Sequence, residues 1–65
     1  MNSDARTGRE FRARIAYHGV RIYRLAPRVD LHPSRLSLIL NERVRMPAGL
    51  AARLTRAIDE EARRP

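Results

Sequence analysis

The sequence predicts an all-α domain of four short helices, or five with a short extra turn, and no strand. Three features carry that expectation. Apolar residues recur at three- and four-residue spacing in successive segments, two prolines stand where helices open, and a capping pattern precedes the first segment. At 65 residues the chain fits one domain over 1–65, with an ordered core at residues 8–62 and fraying expected at 1–6 and 63–65.

The first helix begins near Gly8, because Thr7 and Glu10 have capping-box spacing: the Thr hydroxyl takes the Glu amide proton and the Glu carboxylate reaches back. Phe11 and Ile15 share one face at i, i+4, Arg9, Arg12 and Arg14 surround them, and Gly19 ends the helix. His18, at its end, reads as a partly buried residue. A second helix follows from the spacing of Ile22, Leu25 and Val29. Asp30 closes it, since Asp is among the few side chains that accept a left-handed backbone at a tight turn. Pro27 conflicts with this helix, because proline removes a hydrogen bond and clashes with the carbonyl four residues back, at a cost of about 3 kcal/mol. The expected outcome is a kink, or a late start that puts Pro27 in the first turn.

Pro33 suits the first position of a third helix, where its missing N–H has no intrahelical partner. Leu36, Ile39 and Leu40 form the buried stripe of that helix, which ends at Asn41. Residues 42–45 read as a loop. Pro47 opens a fourth helix, Ala48 to Ala62, with Leu50, Leu54 and Ile58 as its core stripe and alanines as good helix formers. Val44 and Met46 read as cover for the core.

Composition narrows the function. There is no cysteine, so no disulfide staples the small core, and two histidines give no zinc-ligand spacing. No cofactor and no small-molecule ligand is expected. Leu36 to Leu40, the longest apolar stretch, is far short of the roughly 20 residues of a membrane span, and the N-terminus lacks the apolar core of a secretory signal. The expected location is cytoplasmic, on the nucleoid. The formal charge is +7, and all fourteen basic residues are arginines. Their excess peaks at +4 over residues 20–45, which favours a polyanion on the central segment.

In that segment "IYRLAPRVDLHPSRLSLILN" resembles the helix-turn-helix of the Cro and lambda-repressor type of DNA-binding proteins, and "ILNER" is similar to the end of the family's recognition helix. The likeness runs from Phe11 through Ile58, with the helix-turn-helix at residues 22–41. Ala26 stands where the family has a small residue at the helix crossing. Asp30 replaces the usual turn glycine, Leu31 follows as the apolar plug, and Leu36 and Ile39 lock the recognition helix to the scaffold. Ile22 departs from the pattern: many members carry a glutamine there that contacts the DNA backbone, so the resemblance implies that this contact is absent or comes from Arg21 or Tyr23.

The resemblance implies a lambda repressor-like fold and sequence-specific binding of double-stranded DNA, with residues 33–41 in the major groove. His32, Pro33, Ser34, Ser37 and Leu38 are then the base-contacting set, Leu38 suiting a thymine methyl. His32 caps the helix or touches a base. Arg35 takes a phosphate or reads guanine. Asn41 binds a phosphate, as the family's asparagine does, or caps the helix. Arg21, Tyr23, Arg24, Arg28, Arg43 and Arg45 complete the backbone-contacting set. A homodimer on a palindromic operator is expected, because one helix carrying serines discriminates poorly. The fourth helix or the Val44-Arg45-Met46 loop would pair the subunits, and the simplest action is repression by occupying a promoter.

An enzyme is disfavoured. His32, Ser34 and Ser37 lie within six residues of one turn and helix, and so small a domain builds no pocket around them. The competing reading is a protein-interaction module on the same fold, antitoxin-like or a phage-encoded binder of a host factor. Asp59, Glu60 and Glu61 read as a solvated face or as partners for a second subunit's arginines.

Overall fold

The structure is a computed structural model and describes residues 7–64. Among them the chain forms helices α1 (Gly8–His18), α2 (Ile22–Leu25), α3 (Pro33–Leu40) and α4 (Leu50–Ala62), a 3-10 turn at Ala26–Val29, and no strand. The expected fraying of residues 1–6 and 65 lies outside the described residues. No helix among them is long and apolar enough to cross a membrane.

Both halves of the capping box are formed at α1: the Thr7 hydroxyl accepts from the Glu10 amide at 3.2 Å, and the Glu10 carboxylate accepts from the Thr7 amide at 3.0 Å. Phe11 and Ile15 are buried as the spacing requires. His18 corrects the sequence reading, for it is exposed and lies edge-on to the Tyr17 ring at 5.0 Å. It sits past the buried end of the helix, where the chain turns outward at Gly19.

The second helix resolves the Pro27 conflict by changing type. The α segment ends at Leu25, with a last i→i−4 bond from the Ala26 amide to the Ile22 carbonyl, and Ala26–Val29 continue as a 3-10 turn with Pro27 near its start. There the missing N–H and the ring are tolerated as they are in a first turn. The helix therefore starts at Ile22, not late, and Pro27 stands in the first turn of the 3-10 segment that follows it. Ala26 is fully buried, Leu25 and Val29 are in the core, and Leu31 packs against it from the edge.

Three segments end the same way. The amides of Gly19 and Val20 donate to Ala16 and Ile15, those of Asp30 and Leu31 to Pro27 and Ala26, and those of Glu42 and Arg43 to Ile39 and Leu38. Each is the paired closure of a Schellman motif around one left-handed residue. Only the first uses glycine. Asp30 (φ 59°), a residue type that tolerates the left-handed conformation, and Glu42 (φ 61°), one that ordinarily avoids it, both adopt it.

The fourth helix begins later than the sequence suggests, at Leu50 rather than Ala48. Gly49 adopts φ 84°, ψ −14°, which a right-handed helix cannot include, so Pro47 and Ala48 belong to a turn closed by the Leu50 amide on the Pro47 carbonyl. Leu50, Leu54, Ala57 and Ile58 then point into the core formed with Phe11, Leu25, Leu36, Ile39 and Leu40. Val44 and Met46 cover that core from the loop.

Helix α4 packs against α1, α2 and the 3-10 turn, whereas α3 packs against α1, α2 and the 3-10 turn but not closely against α4. The outer side of α3 is thereby left open. Its seat on α1 is tight: a Cβ on Gly8 would collide with the Leu40 carbonyl oxygen and come within 2.9 Å of that of Ile39.

Candidate nucleic-acid interface

At about 100° per residue, Leu36, Ile39 and Leu40 define the buried side of α3, and Ser34, Ser37, Leu38 and Asn41 the opposite one. All four are exposed, as are His32 and Arg35, while Pro33 is half-buried. Leu38 is 42 % exposed, so it stands on the ridge and does not belong to the core. The ridge is narrow, uncharged and flanked by Arg35.

His32 caps α3. Its Nδ1 accepts from the Ser34 amide at 3.2 Å and lies 2.9 Å from the Ser34 hydroxyl. An accepting Nδ1 carries no proton, so Nε2 carries it and is left as an outward donor. The Ser34 hydroxyl can spend its own proton on Nδ1, which leaves its lone pairs to accept from outside. Capping thus orients both polar groups at the end of the helix that would enter a groove.

At the other end, the Asn41 amide lies 3.5 Å from the Ser37 hydroxyl, and Asn41 is the last residue before the left-handed Glu42. Asn41 is therefore the C-cap of α3, and the left-handed Glu42 after it completes the closure. The Glu42 carboxylate accepts from the Arg9 amide at 3.1 Å. A carboxylate on the free N–H groups of a helix start is favoured by the helix dipole. This contact ties the loop to α1, and Arg43 and Arg45 are exposed on that loop.

The arginines divide into two groups. Arg24 donates to Glu61 at 3.0 Å, Arg28 to Glu61 at 2.6 Å and to Glu60 at 2.7 Å, and Arg14 to Asp59 at 3.3 Å. The acidic run at the end of α4 is therefore paired with guanidiniums of its own chain, with Asp59 and Glu60 still about half exposed and Glu61 covered. The Glu61 carboxylate, only 6 % exposed, is held below its ordinary value, first by the hydrogen bond from Arg24 and then by that from Arg28, against the opposing effect of burial. Arg24 and Arg28, expected to grip phosphates, already have carboxylate partners. Arg53 is also engaged, donating to the Val29 carbonyl at 2.7 Å.

By contrast, the side chains of Arg9, Arg12, Arg21, Arg35, Arg43 and Arg45 make no hydrogen bond or ion pair among the described residues. All six are exposed. They belong to α1, the start of α2, α3 and the loop after it; Arg56, on the outward side of α4, is likewise exposed and without a partner among the described residues. Tyr23 is 60 % exposed beside Arg21. Arg12 was not among the residues singled out from sequence, yet it lines an open depression of about 280 Å³ together with Ile22, Ser37 and Asn41. Its position one residue past Phe11 placed it at the edge of the buried face, but which helix lies across that edge is a tertiary fact.

The outward side of α4 carries Ala52, Arg53, Arg56 and Glu60, and among the described residues the exposed large apolar ones are Tyr17, Tyr23 and Leu38, on three different helices. Comparison with protein-family models, curated proteins and solved structures gives no match.

Proposed function

We propose that the chain is a sequence-specific, double-stranded DNA-binding regulator of the helix-turn-helix kind, with α2 and the 3-10 turn as the supporting helix and α3 as the recognition helix. One observation carries this reading. The open side of α3 is an uncharged ridge bordered by arginines without acidic partners, while the acids of α4 neutralise arginines elsewhere. A slim ridge fits a major groove about 12 Å wide, and free guanidiniums on either side suit the phosphate rails.

In this arrangement Ser34 accepts from an exocyclic amino group of cytosine or adenine, the His32 Nε2–H donates to a purine N7 or a carbonyl oxygen, and Leu38 meets a thymine methyl. Ser37 and Pro33 line the same groove. Arg21, Arg35, Arg43, Arg45, Tyr23 and Asn41 hold the backbone. Arg24 and Arg28 take a lesser part than the family likeness suggests, because each would have to leave a carboxylate first. Two copies on a two-fold site, with recognition helices about 34 Å apart, supply the specificity that one ridge lacks. With arginines on the outside of α4, pairing is expected to form on the DNA, and repression follows from occupying a promoter.

The test is selection from a random duplex pool, with single-stranded DNA and RNA as competitors at two salt concentrations. Enrichment of a two-fold symmetric duplex site supports the reading. Equal retention of all three nucleic acids without enrichment, or retention of none, overturns it.

A further inference from the structure

We infer that Arg12, on the first helix, is a backbone clamp of the DNA interface, holding a phosphate together with Asn41 at the seam between α1 and α3. This rests on the proposed reading of α3 as the DNA-facing helix and adds a residue that neither composition nor the family likeness points to.

Three observations meet at the seam. The depression is lined by Arg12, Ile15 and Ala16 from α1, Ile22 from α2, and Ser37, Leu40 and Asn41 from the end of α3. Its floor is apolar and its rim carries one guanidinium, one amide and one hydroxyl. Arg12 makes no ion pair among the described residues, although the same helix places Arg14 on Asp59. Third, Ile22 brings no hydrogen-bonding group to this rim, so its side-chain polar groups are those of Arg12, Ser37 and Asn41.

These can hold a phosphate. A guanidinium presents paired N–H donors that match two phosphate oxygens, and the Asn41 amide adds a third donor from the opposite wall. A phosphate bound there would fix the end of α3 against the duplex, opposite the His32 end, and so set how far the ridge enters the groove. The geometry of the seam is held by the close seat of Gly8 on Leu40 and by the Glu42 carboxylate on the Arg9 amide. The clamp therefore closes without rearrangement of the fold.

The experiment measures binding of the full chain to random-sequence duplex over a series of salt concentrations, for the wild type, Arg12→Ala, Arg12→Lys and Arg63→Ala. One lost phosphate contact reduces the slope of log affinity against log salt by about 0.9, and lowers affinity roughly five-fold near 0.15 M salt. Arg12→Ala is expected to show both, Arg12→Lys to keep the slope, and Arg63→Ala, at the far end of α4, to match the wild type. Circular dichroism checks that each variant is folded. A wild-type slope in Arg12→Ala overturns the clamp while leaving the DNA reading intact, as does an equal loss in Arg63→Ala. Absence of duplex binding by the wild type overturns both.

Discussion

The two sides of this small domain use arginine in opposite ways. Where α4 meets α2 and α1, guanidiniums hold the fold together: Arg14, Arg24 and Arg28 are tied to Asp59, Glu60 and Glu61 at 2.6 to 3.3 Å. Where α1 meets α3, neutral backbone and one carboxylate do that work. Gly8 lets two helix backbones touch, and Glu42 closes α3 while capping α1. The second solution leaves Arg9, Arg12, Arg35, Arg43 and Arg45 with no structural task. A chain of net charge +7 thus keeps most of its unpaired arginines on α1, α3 and the segments beside them, Arg56 on the outward side of α4 being the exception among the described residues.

The largest expected effect tests that division directly. Removing three free arginines in Arg21→Ala/Arg43→Ala/Arg45→Ala should flatten the salt dependence of duplex binding by nearly three units, a loss on the order of 100-fold in affinity at ~0.15 M salt. The double variant Arg24→Ala/Arg28→Ala should leave the slope within half a unit of wild type while lowering the urea midpoint. If the double variant loses as much slope per charge as the triple one, pairing with Glu60 and Glu61 does not set these arginines aside. The two groups would then be one surface.

Next in size is the backbone seat. Gly8→Ala forces a methyl into the Leu40 carbonyl, a backbone group that cannot swing away. Overpacking of this kind costs about 1–3 kcal/mol, and the rigid neighbour argues for the upper half of that range. Urea unfolding should show the loss. A Gly8→Ala protein as stable as wild type would mean that α1 can slide on α3, and the fixed geometry of the interface would go with it.

Much of this architecture is legible in the residues, and the gaps have physical causes. The capping box at Thr7, the Phe11–Ile15 face, the left-handed Asp30, the first-turn Pro33 and the buried Leu36, Ile39 and Leu40 all follow from local rules, because each depends on neighbours within four residues. Pro27 was legible as a conflict but not as its resolution, since a switch from α to 3-10 geometry depends on how tightly Ala26 must approach its neighbours. The start of α4 was misplaced because Pro47 and Gly49 give competing signals, and the left-handed glycine prevails. The pairing of Arg24 and Arg28 with the end of α4 spans more than thirty residues, beyond any spacing rule. Arg12 and Asn41, nearly thirty residues apart, line one depression for the same kind of reason, which is why spacing alone neither showed that Arg24 and Arg28 have carboxylate partners nor placed Arg12 beside the end of α3.

Acid should distinguish the two sides as well. The Glu61 carboxyl lies below its ordinary value of 4.5 because Arg24 and Arg28 favour its charged form. A depressed folded-state value means that the stabilisation is complete above about pH 4.5 and is lost as pH falls from there through the folded value. Urea midpoints of wild type and Glu61→Gln should therefore differ at pH 7 and converge toward pH 3. Urea is the suitable denaturant, since a salt would screen the pairs under test. A difference that stays constant across this range would show that Glu61 acts by packing rather than by charge.

The smallest effect concerns the two left-handed residues without glycine, one on each side of α3. Asp30 has no side-chain partner among the described residues, so Asp30→Gly relieves its backbone strain and gives up only some entropy of the unfolded chain. A net gain of about 0.5 kcal/mol is expected. Glu42→Gly relieves strain in the same way but also removes the carboxylate from the start of α1, a contact of about 0.3–1 kcal/mol. It should come out neutral or slightly destabilising. The informative quantity is the difference between the two substitutions, because the backbone contribution is shared and largely cancels. Equal gains in the two variants would show that the Glu42 carboxylate contributes nothing to joining α3's exit to α1. The ridge would then rest on Gly8 and the apolar core alone.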